Sequence, residues 1–545
     1  MNAANESLAG RRGPLVVALL VLLAVVWIEP FGSSLAEPDE TRYAEIPREM
    51  LAAGDLVVPR LNGLPYFEKP PLLYWVNAAS LRIFGETPWA ARLPTRLAGT
   101  GTAALVFVAA LGAGLATTSA AAAAILFLTA PIGFLFARTN LTDGLLTFFF
   151  TATLLAARGA VRRREDGRSW ASLAALAGGC AAAAFLTKGL IAIVLPGAIV
   201  VAWAAATRRL VTAVRVMFLS PAPFVFAVLV APWLILAEGR HPGFIQFFFI
   251  HEHLQRFATG SAKRTGAVWY FVPVFVLGFL PGLVFFLRGL ARSLRPSDES
   301  FFFLLWFAIV FVFFSLSGSK LPPYLFPAIP AAAVLAARGL PAEGRRGAWL
   351  AQAALATAFT AAVFLVPAVR SEVSRPDVAG ILAPALAILV LGSWAAVLFA
   401  RNARPLAVAC VAIGWAAFCA GVSLGWPRMP QARMNGELAT AAKAAARERG
   451  APIVGYRDYL NGLSWELKTP IPVADYAGEL EPWFEMRPEV RDALYWPKEK
   501  FWDLWASGKP VVALVRMKDL VAMMTATPPA RVVKWSGRHA IVVNW

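Results

Sequence analysis

The 545-residue sequence is poor in charge and in the side chains that usually carry metal or redox chemistry. Only 15% of its residues are Asp, Glu, Lys or Arg, and it has three cysteines and four histidines. Cys180, Cys410 and Cys419 lie inside apolar runs without CxxC spacing. That excludes a disulfide framework or a thiolate metal site and reads as small buried hydrophobes. No Walker-type phosphate loop and no dinucleotide glycine fingerprint follows a strand, so the chain needs no nucleotide and is not a nucleotide-fuelled machine. Any group it transfers must come from an activated substrate already in the membrane. The net charge of +18 is spread in short clusters rather than in stripes interleaved with aromatics, which excludes nucleic acid as partner.

What the chain has in excess is apolar. Hydrophobic residues make up 58% and the mean hydropathy is +0.61, far above water-soluble folds. Thirteen runs approach the roughly 20 residues that a spanning helix needs. They lie near 15–28, 94–115, 119–136, 144–160, 170–186, 189–207, 213–236, 267–290, 300–316, 322–338, 347–367, 379–400 and 405–424. With Arg11 and Arg12 inside, alternate loops fall at Arg162–Arg164, Arg208–Arg209, Arg292–Arg295, Arg338–Arg346 and Arg401–Arg404. All are basic, as cytoplasmic loops are. The first run is expected to be an uncleaved anchor, because Trp27, Glu29 and Pro30-Phe31 interrupt a signal peptide that would end near Ser34-Leu35-Ala36. The expectation is a polytopic all-α membrane protein of about thirteen transmembrane helices. A membrane domain would span 1–426, including a large exocytoplasmic first loop at 29–93. A soluble α/β domain would follow at 427–545, with a helix over 435–449 and strands at 452–454, 511–515 and 531–543.

Charge is concentrated in the first loop, in EPDETRYAEIPREML (37–51) and YFEKPPLLYW (66–75). Asp39, Glu68, Lys69, Asp143, Lys188, the HEHLQRF stretch (251–257) and SGSKLPPY (317–324) are all expected on one face of the membrane. Ionisable groups at a membrane border are expensive unless paired or solvated, so their convergence marks a candidate site. Each also has a plainer reading. Asp39 equally suits an N-cap of an amphipathic helix with Tyr43, Ile46, Met50 and Leu51 on one side and Gly54 beyond its end. Asp143 suits a cap of the fourth span, and Glu252 with Arg256 suits a salt bridge along a helix. Glu68 and Lys69 are adjacent and read as poorly placed to pair, pointing to separate partners: a metal or sugar for Glu68, an anion for Lys69. His251 and His253, two apart, do not share a helix face, which leaves one histidine with a distant carboxylate such as Glu68 as the metal option. Lys320 and Tyr324, four apart, would share a helix face and offer an ammonium and a hydroxyl to one anion.

PDETRYAEIPREML, YFEKP, LTKGL (186–190), HEHLQRF and SGSKLPPY closely resemble motifs of the bacterial aminoarabinose transferases that modify lipid A. Related families are the oligosaccharyl and protein O-mannosyl transferases of the GT-C fold. The resemblance runs over the membrane part and is weaker in the C-terminal tail. It implies a glycosyltransferase on the periplasmic side of the bacterial inner membrane, moving 4-amino-4-deoxy-L-arabinose from undecaprenyl phosphate to a phosphate of lipid A. That reaction lowers outer-membrane negative charge and gives resistance to polymyxin and other cationic peptides. It further implies Asp39 as the key carboxylate with Glu68 and Asp143 as accessory acids. Lys69, Arg256, Tyr324, Tyr66 and His251 would hold the donor phosphate, and Lys188 and Lys320 suit the anionic acceptor. A divalent ion (Zn, Mg or Mn) on Glu68 and His251, and a monomer among inner-membrane lipids, complete the expectation. The alternatives are a transferase with the same donor but a protein or glycan acceptor, and a lipid-linked sugar flippase, although the paired broken helices of a transporter are not seen in the sequence.

Overall fold

The computed structural model describes residues 2–28, 33–249, 266–295, 299–366, 369 and 374–545. It divides into two compact units. One comprises residues 1–28 and 92–425, the other residues 29–91 and 426–545. The first loop, expected with the membrane part, thus packs with the C-terminal residues, for reasons visible in its polar contacts below.

The first unit is helical. Among the described residues seven helices are long and apolar enough to cross a membrane, or up to eight if the bent pair Val268–Gly278 and Leu280–Arg292, angled at 77°, is one span. Shorter apolar helices occupy Gly13–Trp27, Thr117–Thr129, Ile191–Ala206 and Phe301–Leu316. Helix length alone therefore does not reach thirteen crossings. The shortfall has a cause in the sequence: Pro131 starts a separate short helix Pro131–Phe136 after Thr129, and the prolines at 322, 323 and 327 hold Pro322–Ala328 in 3₁₀ form ahead of Ile329–Gly339. Small residues bring helices together without hydrophobic drive from lipid. At Gly289 and Gly339 a Cβ would run into the other helix's backbone, at Leu335 and Phe285 respectively. Glycine is what lets Leu283–Arg292 pack on Ile329–Gly339. An aromatic cluster of Phe275, Phe286 and Phe307, with ring centroids 4.8–4.9 Å apart, fills the space beside this pair.

The second unit carries two sheets. A hairpin pairs β1 (Arg60–Leu61) with β2 (Leu64–Pro65). Its two-residue turn Asn62-Gly63 has φ of 50° and 80°, a left-handed pair that Asn-Gly adopts readily. The larger sheet has β3 (Ile453–Tyr456), β4 (Val473–Ala474), β5 (Tyr495–Trp496), β6 (Val512–Arg516), β7 (Arg531–Ser536) and β8 (His539–Val543) in the order β5-β4-β3-β6-β8-β7. β3 to β6 run parallel, and β8 pairs antiparallel with both β6 and β7. The central β6 is buried from Val512 to Val515, the continuous apolar run of a strand covered on both faces. The expected helix is Pro430–Arg449, and the expected strand at 531–543 is a hairpin turned at Gly537, φ 60°. β4 and β5, of two residues each, were too short to show as a pattern.

Candidate active site

In the second unit, Asp39 opens the helix Asp39–Ala53, whose N-cap is Pro38, so Asp39 is not the cap. Nor is the helix amphipathic in the expected way. Its charged residues Glu40, Arg42, Glu45, Arg48 and Glu49 are buried together with its apolar ones. Burial of so many charges requires partners, and each has them. Arg42 donates through Nη1 to Asp39 Oδ1 at 2.9 Å and through Nη2 to Glu479 Oε2 at 2.7 Å. Arg48 pairs with Glu45 at 2.5 Å. Glu49 accepts the backbone N–H groups of Asn62 at 2.7 Å and Gly63 at 2.8 Å, fixing the hairpin turn. Asn62 in turn donates to Ile471 carbonyl and Tyr495 hydroxyl. These bonds tie the first loop to residues more than four hundred positions away, which is why it clusters with the tail.

The chain leaves β2 into YFEK. Tyr66 is buried and its hydroxyl donates to Glu68 Oε2. Lys69 Nζ lies 3.3 Å from Glu68 Oε1 and donates to the Glu68 carbonyl at 3.0 Å. The two neighbours do pair, contrary to the sequence reading, because this stretch is neither helix nor strand and their side chains fold back onto each other. Trp483 packs at a tilt against Tyr66 and Phe67, at 5.7 and 6.2 Å between ring centroids. Burial first, and Glu68 second, raise the Tyr66 hydroxyl far above its ordinary pKa, so it remains a proton donor. Burial lowers the Arg42 pKa, but the carboxylates of Glu479 and Glu68 help to outweigh it and hold the guanidinium charged. Glu479 is raised by burial and by Glu68 and Asp39, against Arg42.

In the first unit, Asp143 on Thr142–Glu165 and Lys188, last residue of Ala171–Lys188, form an ion pair of 2.6 Å. Asp143 is thus the acidic neighbour that Lys188 lacked in the sequence. Lys188 Nζ also sits 5.1 Å from the centre of the Tyr324 ring, a cation–π contact. Lys320 does not join Tyr324. Its ammonium donates to the carbonyls of Ser315 at 2.7 Å and Ser317 at 2.8 Å, closing the C-terminus of Phe301–Leu316. The expected helix face does not exist, because the 3₁₀ turn starts only at Pro322. Sequence reasoning passed over Arg96 and Arg138, which reach the Trp27 carbonyl at 3.4 Å and the Ile28 carbonyl at 2.7 Å. Their signal was a lone charge within or at the end of an apolar run. Glu479 left none.

His251 and Arg256 lie outside the described residues. Of the expected metal pair only Glu68 is seen, with one oxygen engaged by Tyr66 and the other beside the Lys69 ammonium. A cation against a carboxylate competes with metal binding, and among the described residues no three His, Cys, Asp or Glu side chains come together as a metal site. The other expected ligand, His251, lies outside the described residues, and no step is routed through an ion.

The model of the dolichyl-phosphate-mannose-protein mannosyltransferase family matches residues 15–248. The undecaprenyl phosphate-α-4-amino-4-deoxy-L-arabinose arabinosyl transferase of Pectobacterium carotovorum is 33% identical over 419 residues, 74% of this chain and 70% of that one. The chain belongs to this arabinosyl transferase family. The arabinosyl transferase of Serratia proteamaculans is 34% identical over 331 residues, 60% of this chain, and the match spans 59% of that enzyme's length. The crystal structure of ArnT from Cupriavidus metallidurans bound to undecaprenyl phosphate superposes with a TM-score of 0.84 at 29% identity, covering 98% of each chain. The fold is shared more widely: the archaeal oligosaccharyltransferase AglB from Archaeoglobus fulgidus matches at 14% identity with a TM-score of 0.54, covering 95% of this chain and 71% of that one. The helical multi-pass membrane part with a small sheet unit is therefore the architecture of the arabinosyl transferase family.

Proposed function

We propose that the chain transfers 4-amino-4-deoxy-L-arabinose from undecaprenyl phosphate to a phosphate of lipid A on the periplasmic face of the inner membrane. The observation that carries this is the match along nearly the whole of both chains to an ArnT structure bound to undecaprenyl phosphate. The chemistry of these residues supports it. Breaking the bond between sugar and phosphate leaves negative charge on undecaprenyl phosphate, and fixed cations in a water-poor site stabilise such charge strongly. Lys69 and Arg256 are assigned that role. Tyr66 is assigned beside them, its hydroxyl staying protonated and donating to Glu68 Oε2. The acceptor phosphate is ionised near neutral pH and needs little general-base help, so Asp39 acts by orienting the acceptor or stabilising positive charge at the sugar carbon.

Purified protein given undecaprenyl-phosphate-aminoarabinose and lipid A, with mass spectrometry of the lipid, tests the reading: sugar-modified lipid A is expected. The mannosyltransferase match over 15–248 favours a second reading in which the same kind of donor serves a protein acceptor. A parallel reaction with peptide discriminates them, since modified peptide and untouched lipid A would replace the first reading by the second. Donor translocation with no transfer to any acceptor would indicate a flippase.

A further inference from the structure

The C-terminal residues have had no part in the chemistry so far, yet one of them touches its centre. Arg42 has a side chain only 7% exposed and is shared between Asp39, 46% exposed, and Glu479, 38% exposed. Asp39 and Arg42 are one helical turn apart, and such a local pair with a half-open carboxylate is weak by itself. A buried guanidinium with a single solvated partner is free to change rotamer. The second carboxylate removes that freedom. It comes from the segment ahead of the 3₁₀ turn Glu481–Met486, and that turn is anchored by Trp483 against Tyr66 and Phe67. Arg42 Nε has no hydrogen-bond partner among the described residues, and the guanidinium's hydrogen bonds among them run to its two carboxylates. A planar fork held at both ends fixes the geometry of whatever it holds.

We propose that Glu479 is a positioning residue of the transfer reaction: by gripping Arg42 from the C-terminal segment, it sets the orientation of the Asp39 carboxylate. The role of the tail is then to complete the first-loop cluster, and a chain lacking it would retain the donor-contacting residues without their alignment. The inference rests on the transferase reading above.

The test compares full-length wild type, E479Q, E479D, R42K and the double variant E479Q/R42K in nanodiscs, measuring aminoarabinose transfer to lipid A, donor KM and melting temperature. Glutamine keeps the size of Glu479 and removes its charge. Misalignment of a reacting group by about 1 Å costs on the order of a hundredfold in rate, so kcat of E479Q is expected to fall by about that factor, with donor KM and melting temperature close to wild type. E479D is expected to recover part of the loss, and the double variant to be no slower than the worse single variant, because both changes break one linkage. Wild-type kcat in E479Q overturns the proposal. So does a parallel fall of melting temperature and kcat in both E479Q and E479D, which marks a merely structural contact. Multiplying losses in the double variant also overturn it. If wild type itself transfers no aminoarabinose, the functional reading falls and this inference with it. Active wild type beside an equally active E479Q removes the inference alone.

Discussion

Replacing Glu49 by glutamine should flatten the pH dependence of stability in the second unit. Glu49 is buried, and burial first and Glu45 second raise its pKa from 4.5 to about 8, against the Gly63 and Asn62 N–H groups and Arg48. Below about pH 4.5 the carboxyl is protonated in both folded and unfolded chain, and its contribution is fully present. As pH rises toward 8 the unfolded chain releases the proton while the folded one keeps it, so folding loses free energy progressively until the folded pKa is passed. At about 1.4 kcal/mol per pH unit, the span from 4.5 to about 8 bounds the loss at about 5 kcal/mol. For a unit of this size that corresponds to a fall of on the order of 10 °C in melting temperature. Glutamine does not titrate, but it has one oxygen for two backbone donors and should cost about 1–3 kcal/mol at every pH. Differential scanning fluorimetry of the full chain from pH 5 to 9 should therefore show wild type more stable at the acid end, the two curves crossing as pH rises, and wild type the less stable at the alkaline end. Melting curves that stay parallel across this range would refute the assignment of a raised carboxyl at Glu49.

Two further outcomes follow from the membrane unit. K188M leaves Asp143 buried without its 2.6 Å partner and should destabilise by about 3–5 kcal/mol, whereas the double variant D143N/K188M should recover most of that in thermal melting. Additive losses would show that the pair is not coupled. K320M strips the C-terminal carbonyls of Phe301–Leu316 of their donor and should cost about 1–3 kcal/mol. An unchanged melting temperature would remove Lys320 from its capping role.

The sequence carried the apolar helices of the membrane part, though not thirteen helices of spanning length, and the tail's helix and longer strands, because their signals are local. Asp39, Glu68, Lys69, Asp143 and Lys188 stood out for a related reason, as charges in a chain that has few. What it hid was pairing. Arg42 and Glu479 are 437 residues apart, and Glu479 sits in a stretch of ordinary polar composition, so neither spacing nor periodicity links them. The pairing of Glu68 with Lys69 was misjudged because alternation of faces holds only for regular backbone. Lys320 was misplaced for a similar reason: the proline pair after it ends the helical spacing from which a shared face with Tyr324 was inferred.

The central claim is that a transfer reaction runs through the first-loop cluster around Asp39. D39N in the full chain tests it most directly, with donor binding measured on undecaprenyl-phosphate-aminoarabinose and turnover on lipid A in the same preparation. The account predicts that the variant binds donor as wild type does and forms sugar-modified lipid A at least about a hundredfold more slowly. Undiminished turnover by D39N would contradict it.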